Sequence, residues 1–302
     1  MPISRKIMGV SRGGGGNKGI FGYGNISAES SLTNLVSNTG VVSTDITGVG
    51  TARYELAASG YGTDKGIFGF GAIGGTPTSV TNLISNVGVV AANTTGVGAT
   101  RAGNAGCGYS TDKAIFGYGS NSAGTNITTT SLVSNTGVVA TDTSGTGTAR
   151  YRLGAARYGT DKGVFGYGNT GSNSAITNKV SNTGTVASDT TGVGTARYML
   201  TASGYGNDKA IFGFGYDSSY SAITNLVSNT GVVATDTAGV GSARFLPAAT
   251  TYGNDKAIFG FGYALSGIVN LTNLVSSIGA VASDTTGIGT ARYSLAASSY
   301  GS

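Results

Sequence analysis

The chain has 302 residues, of which 54 are glycine and only 10% are charged, against about 25% charged in an average soluble protein. Its 39% apolar fraction, with Ile, Val, Leu, Phe and Tyr recurring at regular positions, excludes a disordered chain, and no run of about 18 apolar residues exists to span a membrane as a helix. Histidine is absent and Cys107 is the single cysteine, which excludes a His-based triad, a His- or Cys-ligated metal cluster and an internal disulfide.

The N-terminal stretch "MPISRKIMGVSRGGGG" is basic through Arg5, Lys6 and Arg12 and lacks the apolar core of a signal peptide. From residue 17 onward one unit fills the chain. Aligned on a lysine, its copies read "NKGIFGYG" at Lys18, "DKGIFGFG" at Lys65, "DKAIFGYG" at Lys113, "DKGVFGYG" at Lys162, and "DKAIFGFG" at Lys209 and Lys256, spaced by 47, 48, 49, 47 and 47 residues. Against this unit, Lys6 takes the place of a repeated arginine and Gly13 to Gly16 replace the end of a strand. Residues 1–16 therefore read as a flexible or partner-docking arm, or as a competitor of the C-terminal strand, and residues 17–302 as the repeat domain.

Within the unit the lysine opens a strand. Alternation along "KAIFGFG" places Phe212 and Phe214 on one face and Ile211 and Gly213 on the other, so that rings from one sheet can approach the bare backbone of the next. A segment of variable length and chemistry follows, such as "AIGGTPTSV" after Gly71, "YDSSYSAI" after Gly215 or "YALSGIVNL" after Gly262. Next come two strand-like segments in "ITNLVSNTGVVATDTAGVGSAR", ending on an arginine that stands 12 residues before the next lysine. Asp236 and Arg244 in this run are placed to form an ion pair between strands or between sheets. A strand of small residues, "LTASGY" or "LAASGY", then leads through an expected two-residue turn, Asn207–Asp208, into the next lysine strand. The repeated Asp reads as a turn residue, and Cys107, which replaces the Ser of "SGYG", as a small buried residue.

Short β segments throughout, without a helical period, give an all-β chain. The unit resembles the kelch repeat: a basic residue before the inner strand, a tight turn, an "IFGFG" second strand and two further strands. That resemblance implies a six-bladed kelch-like β-propeller with about 47 residues per blade. The final "GTARYSLAASSYGS" is an inner strand without a following partner, so the expected closure pairs this C-terminal strand with the first repeat.

Six lysines and six arginines of the 18 basic residues occupy repeated positions, as do ten of the 13 acids, so the net charge of +5 is spread around the unit and argues against nucleic-acid binding. The "FGFG" glycines lack the phosphate-loop pattern and no cofactor is expected. No catalytic constellation stands out, because few residues break the repeat. One carboxylate per unit in "DTTG" offers calcium a sparse ligand set. What breaks the repeat is the variable segment, and there Tyr216, Asp217, Tyr220 and Tyr263 are the candidate ligand- or receptor-binding residues, able to stack on and hydrogen-bond a sugar.

Units of this form also resemble repeats of virion- and tail-associated proteins of marine bacteriophages. That resemblance implies a non-enzymatic structural or adhesion component, assembled in the host cytoplasm into the virion. Its partners would be other tail proteins, reached through Arg5, Lys6 and Arg12, and a host surface glycan or protein. A carbohydrate-binding propeller outside a virion is the alternative.

Overall fold

In the computed structural model, which describes residues 16–302, every regular element is a β-strand and no helix occurs among those residues. Six antiparallel three-stranded sheets share one plan. The first strand is the run of small residues: Ala57–Tyr61, Ala105–Tyr109, Gly154–Tyr158, Thr201–Tyr205, Ala248–Tyr252 or Ala296–Tyr300. The lysine strand lies in the middle, and a strand such as Thr81–Ile84 lies outside it. In five sheets the first two strands form a hairpin. In the sixth, Ala296–Tyr300 pairs with Lys18–Gly22 from the other end of the repeat domain, Tyr300 opposite Lys18 and Ala296 opposite Gly22.

Three local features differ from the sequence expectation. Tyr205 pairs with Lys209, so the hairpin loop has three residues, with Gly206 and Asn207 at φ of 59° and 69° and Asp208 after them. The outermost segment is not a regular strand and meets its neighbour only at isolated bridges, such as Thr224 with Thr237 and Val227 with Val233. Side chains supplement the backbone bonds there: the Asn225 amide donates to Ala234 O at 3.0 Å and to Asp236 Oδ1 at 2.9 Å.

The third difference concerns Phe214. It packs with Ile211 toward Phe259 of the following sheet, whereas Phe212 packs toward Tyr167 of the preceding one. The cause is a backbone φ of 63° at Phe214, which interrupts the strand alternation. Tyr23, Phe70, Tyr118, Tyr167 and Phe261 share this left-handed conformation at φ of 63° or 64°.

The face of Gly213 is as expected, and its purpose is visible. A Cβ there would stand 2.7 Å from Phe259 Cζ, and one on Gly22, Gly166 or Gly260 would stand 2.6 to 2.7 Å from the ring of the adjoining sheet. Each missing side chain lets the next sheet's phenylalanine reach the backbone. Edge-to-face pairs then run from sheet to sheet: Tyr23–Phe68, Phe70–Phe116, Tyr118–Phe165, Tyr167–Phe212, Phe214–Phe259 and Phe261–Phe21, with centroids 5.1 to 5.4 Å apart. The apolar core is correspondingly divided into clusters, each between two neighbouring sheets.

Backbone hydrogen bonds tie the same sheets at both ends of the first strands. At the hairpin-turn end, Gly62, Ser110, Gly159, Gly206, Gly253 and Gly301 donate to the carbonyls of Asp112, Asp161, Asp208, Asp255, Asn17 and Asp64 at 2.7 to 2.8 Å. At the other end, Glu55 donates to Ser294, Ser294 to Leu246, Leu246 to Met199, Met199 to Arg152, Arg152 to Gly103 and Gly103 to Glu55, at 2.6 to 3.1 Å. All six of these residues have φ between 51° and 61°, a turn that directs each N–H out of its own sheet toward its neighbour.

Candidate functional site

The repeated arginine is structural. Arg53, Arg101, Arg150, Arg197, Arg244 and Arg292 are fully buried between sheets. Each guanidinium lies 4.0 to 4.5 Å above the ring of the preceding sheet, as Arg197 does over Tyr167. In four of the six, Nε donates to the carbonyl of the left-handed aromatic in the following sheet, as Arg197 does to Phe214 O at 2.9 Å. This charged hydrogen bond rationalises a backbone conformation that costs an aromatic residue about 1–2 kcal/mol.

Asp236 and Arg244 do not pair with each other. Asp236 lies 4.0 Å from Arg197, and Arg244 lies 3.6 Å from Asp284, because the arginine turns toward the sheet that follows it. Asp236 also accepts from Thr195 N at 3.0 Å and Thr195 Oγ1 at 2.7 Å. Burial works to raise its pKa, but the hydrogen bonds from Thr195 and Asn225 and the charge of Arg197 outweigh burial and hold the carboxyl below its usual value. Its oxygens are thus engaged by protein donors, and no group of three or more acidic or thiol ligands occurs among the described residues.

Cys107 is buried as expected, with its thiol pKa raised to about 12 by desolvation. Arg5, Lys6 and Arg12 lie outside the described residues. Gly16, read with the arm, is buried, and Asn17 donates to Gly301 O at 2.8 Å at the hairpin-turn end of the sheets.

The variable segments gather at the opposite end. The residue after each repeated arginine bridges to them: Tyr54 to Ala72, Tyr198 to Tyr216, and Phe245 to Tyr263. Some segments are hairpins rather than loops. Residues 216–220 extend the strands Lys209–Tyr216 and Tyr220–Val227 to eight residues each, and Tyr263–Ala264 pairs with both Gly267–Ile268 and Arg244–Phe245.

Three of the four predicted site residues are brought together there. Tyr216, Tyr220 and Tyr263 join Tyr198, Phe245 and Tyr293 in a continuous ribbon of six half-buried rings spanning three repeats. Phe245 stacks on Tyr263 with centroids 5.3 Å apart at an interplanar angle of 15°, and Tyr220 lies 5.1 Å from Phe245. Beside the ribbon is an open cleft of about 860 Å³ whose walls include Tyr216, Tyr220, Ser219, Ser242, Ser266 and Leu265. Leu265 is 88% exposed. Asp217 is at the tip of the hairpin, where its carboxylate accepts from Ser219 N and Ser219 Oγ at 3.2 Å.

Sequence reasoning missed Tyr198, Phe245 and Tyr293. Their signal was the aromatic that follows the repeated arginine, in "ARY" or "ARF", which the repetition itself made look like scaffold.

The ends of the first strands hold a second group of repeat-breaking residues. All six strands line a common cavity of about 100 Å³, whose mouth at the variable end is crossed by Arg152 Nε donating to Glu55 Oε1 at 2.9 Å. Burial disfavours the Arg152 charge, but Glu55 outweighs burial and its pKa lies above the ordinary value. The arginine stem passes over Gly103, where a Cβ would stand 3.2 Å from Arg152 Cγ. Asn104 also lines this cavity and occupies the place of Leu56, Leu153, Leu200, Pro247 and Leu295 in the other units; its side-chain amide is buried with no partner for either atom.

No family model matches the chain, and no curated protein matches it in sequence. Among solved structures it is similar to one titled "Structure of YjhT", with a TM-score of 0.60 at 11% identity over 81% of this chain and 88% of that one. At that identity the likeness concerns the fold alone.

Proposed function

We propose that the chain is a six-bladed, kelch-like β-propeller, closed by the pairing of Ala296–Tyr300 with Lys18–Gly22, that serves as a non-enzymatic structural and adhesion component of a bacteriophage virion or tail fibre. The observation that carries this reading is the polarity of the molecule. The aromatic ribbon and the variable segments occupy one end of the sheets, while Gly16 and Asn17, where the N-terminal arm joins, lie at the other. One end can therefore dock to tail proteins through Arg5, Lys6 and Arg12 while the other faces a host receptor. The resemblance of the units to virion and tail repeats supplies the setting. Mass spectrometry of purified particles is the test: the chain is expected among their proteins, and its absence would refute a virion role.

The cleft favours a second reading, a carbohydrate-binding propeller outside a virion. Rings flanked by the hydroxyls of Ser219, Ser242 and Ser266 offer stacking surfaces beside hydrogen-bonding groups, the combination that pyranose rings require. Glycan binding by the chain together with its absence from particles would favour this alternative.

A further inference from the structure

The hairpin-turn end of the first strands carries an arginine that the scaffold does not need. Arg157 stands immediately before the last tyrosine of its strand, a place taken by Gly60, Gly108, Gly204, Thr251 and Ser299 in the other units. Those five strands form the same pairings without a cation. The Arg157 side chain leans over Gly108, where a Cβ would stand 3.4 Å from its Cδ, and Nη2 donates to Ser110 O at 2.8 Å.

Its Nε is buried without a hydrogen-bond partner, and Arg157 is absent from the ion pairs among the described residues. The acidic groups nearest in effect are otherwise engaged: Asp161 by Lys162 at 2.7 Å and Asp112 by the Asn135 amide at 3.1 Å. Burial pushes the guanidinium pKa down to about 10, opposed by Asp161, Cys107 and Asp112, so the group remains cationic at neutral pH. By contrast Arg152, two residues before the same strand at the other mouth, is neutralised by Glu55.

Arg157 lines a cavity of about 110 Å³ bounded by the first strands, together with Asn207 and Asn254 from the turns and the strand residue Lys209, whose ammonium pairs with Asp208 at 2.8 Å. A half-buried guanidinium whose Nη1 makes no hydrogen bond among the described residues, beside the Asn207 and Asn254 amides, is a setting made for negatively charged oxygen. We propose that this cavity binds a small oxyanion of phosphate or sulfate chemistry, held by Arg157.

The test is a titration of the full chain with inorganic phosphate and with sulfate at constant ionic strength, read by calorimetry and by melting temperature. Arg157→Gly and Arg157→Thr serve as comparisons, each residue already standing at this place in another unit, and Arg157→Lys keeps the charge. Saturable binding of at least one anion is expected, weakened about 10- to 100-fold in the Gly and Thr variants and partly retained in the Lys variant. Absence of saturable binding by either anion would overturn the proposal, as would equal binding by the folded Gly or Thr variant.

Discussion

Gly213 shows how one missing side chain can set the distance between two sheets. Its hypothetical Cβ meets the buried, closely packed Phe259 ring at 2.7 Å, so Gly213→Ala forces either the ring or the sheet to move. A loss of about 1–3 kcal/mol is expected for overpacking of this kind, measurable by chemical denaturation; an unchanged midpoint would show that the interface is looser than the contacts imply. Asn104 presents the opposite case. Its amide is buried and unpaired where four other units carry leucine, so Asn104→Leu is expected to raise stability by about 1–3 kcal/mol in the same assay. Lower stability in that variant would mean the amide has a partner in solution. Sequence reading reached the glycine from strand alternation, but it could not reach Phe214. Nothing in "FGFG" signals a left-handed aromatic, because the compensation comes from Arg197, which is remote in sequence and adjacent only in the folded chain.

At the scale of elements, the strand-forming letters of the unit were sufficient to identify the hairpins and the row of small first strands. The hairpin length was misread by one residue because Gly206 and Asn207, rather than Asn207 and Asp208, take the positive φ values. The candidate site was legible in part. Tyr216, Tyr220 and Tyr263 stood out because they break the repeat, whereas Tyr198, Phe245 and Tyr293 were hidden by belonging to it. The eight-residue strands ending at Tyr216 and starting at Tyr220 carry the ribbon across the gap between neighbouring sheets. Replacing both Tyr220 and Tyr263 by alanine is therefore expected to leave the melting temperature within a few degrees of wild type. It should reduce binding to host cells or to a glycan array by about tenfold or more, since removing such rings from a stacking surface typically costs about 1–3 kcal/mol. Full retention of binding would remove the ribbon from the recognition surface.

For the whole molecule, what matters is that the contacts between sheets form series that return to their starting sheet: the edge-to-face aromatic pairs and the two sets of backbone hydrogen bonds. A residue pattern can foretell the link between adjacent units, since every unit repeats it. The register of the two distant ends follows the same pattern, Tyr300 standing opposite Lys18 as Tyr205 stands opposite Lys209. If the proposed ring depends on this pairing, removing residues 291–302 leaves Lys18–Gly22 with one strand neighbour and deletes Arg292 from its place between sheets. Loss of the cooperative calorimetric transition, or aggregation, is the expected outcome. An undisturbed transition would rule out closure by that strand.

The proposed polarity of the proposed ring, with docking at one end and recognition at the other, is the central claim, and a density map of the purified particle tests it most directly. The predicted map shows the chain on the particle with its hairpin-turn end against a neighbouring tail protein and Tyr216, Tyr220, Phe245 and Tyr263 facing outward. A map in which those rings are buried against another virion protein, or in which the chain is absent, would contradict it.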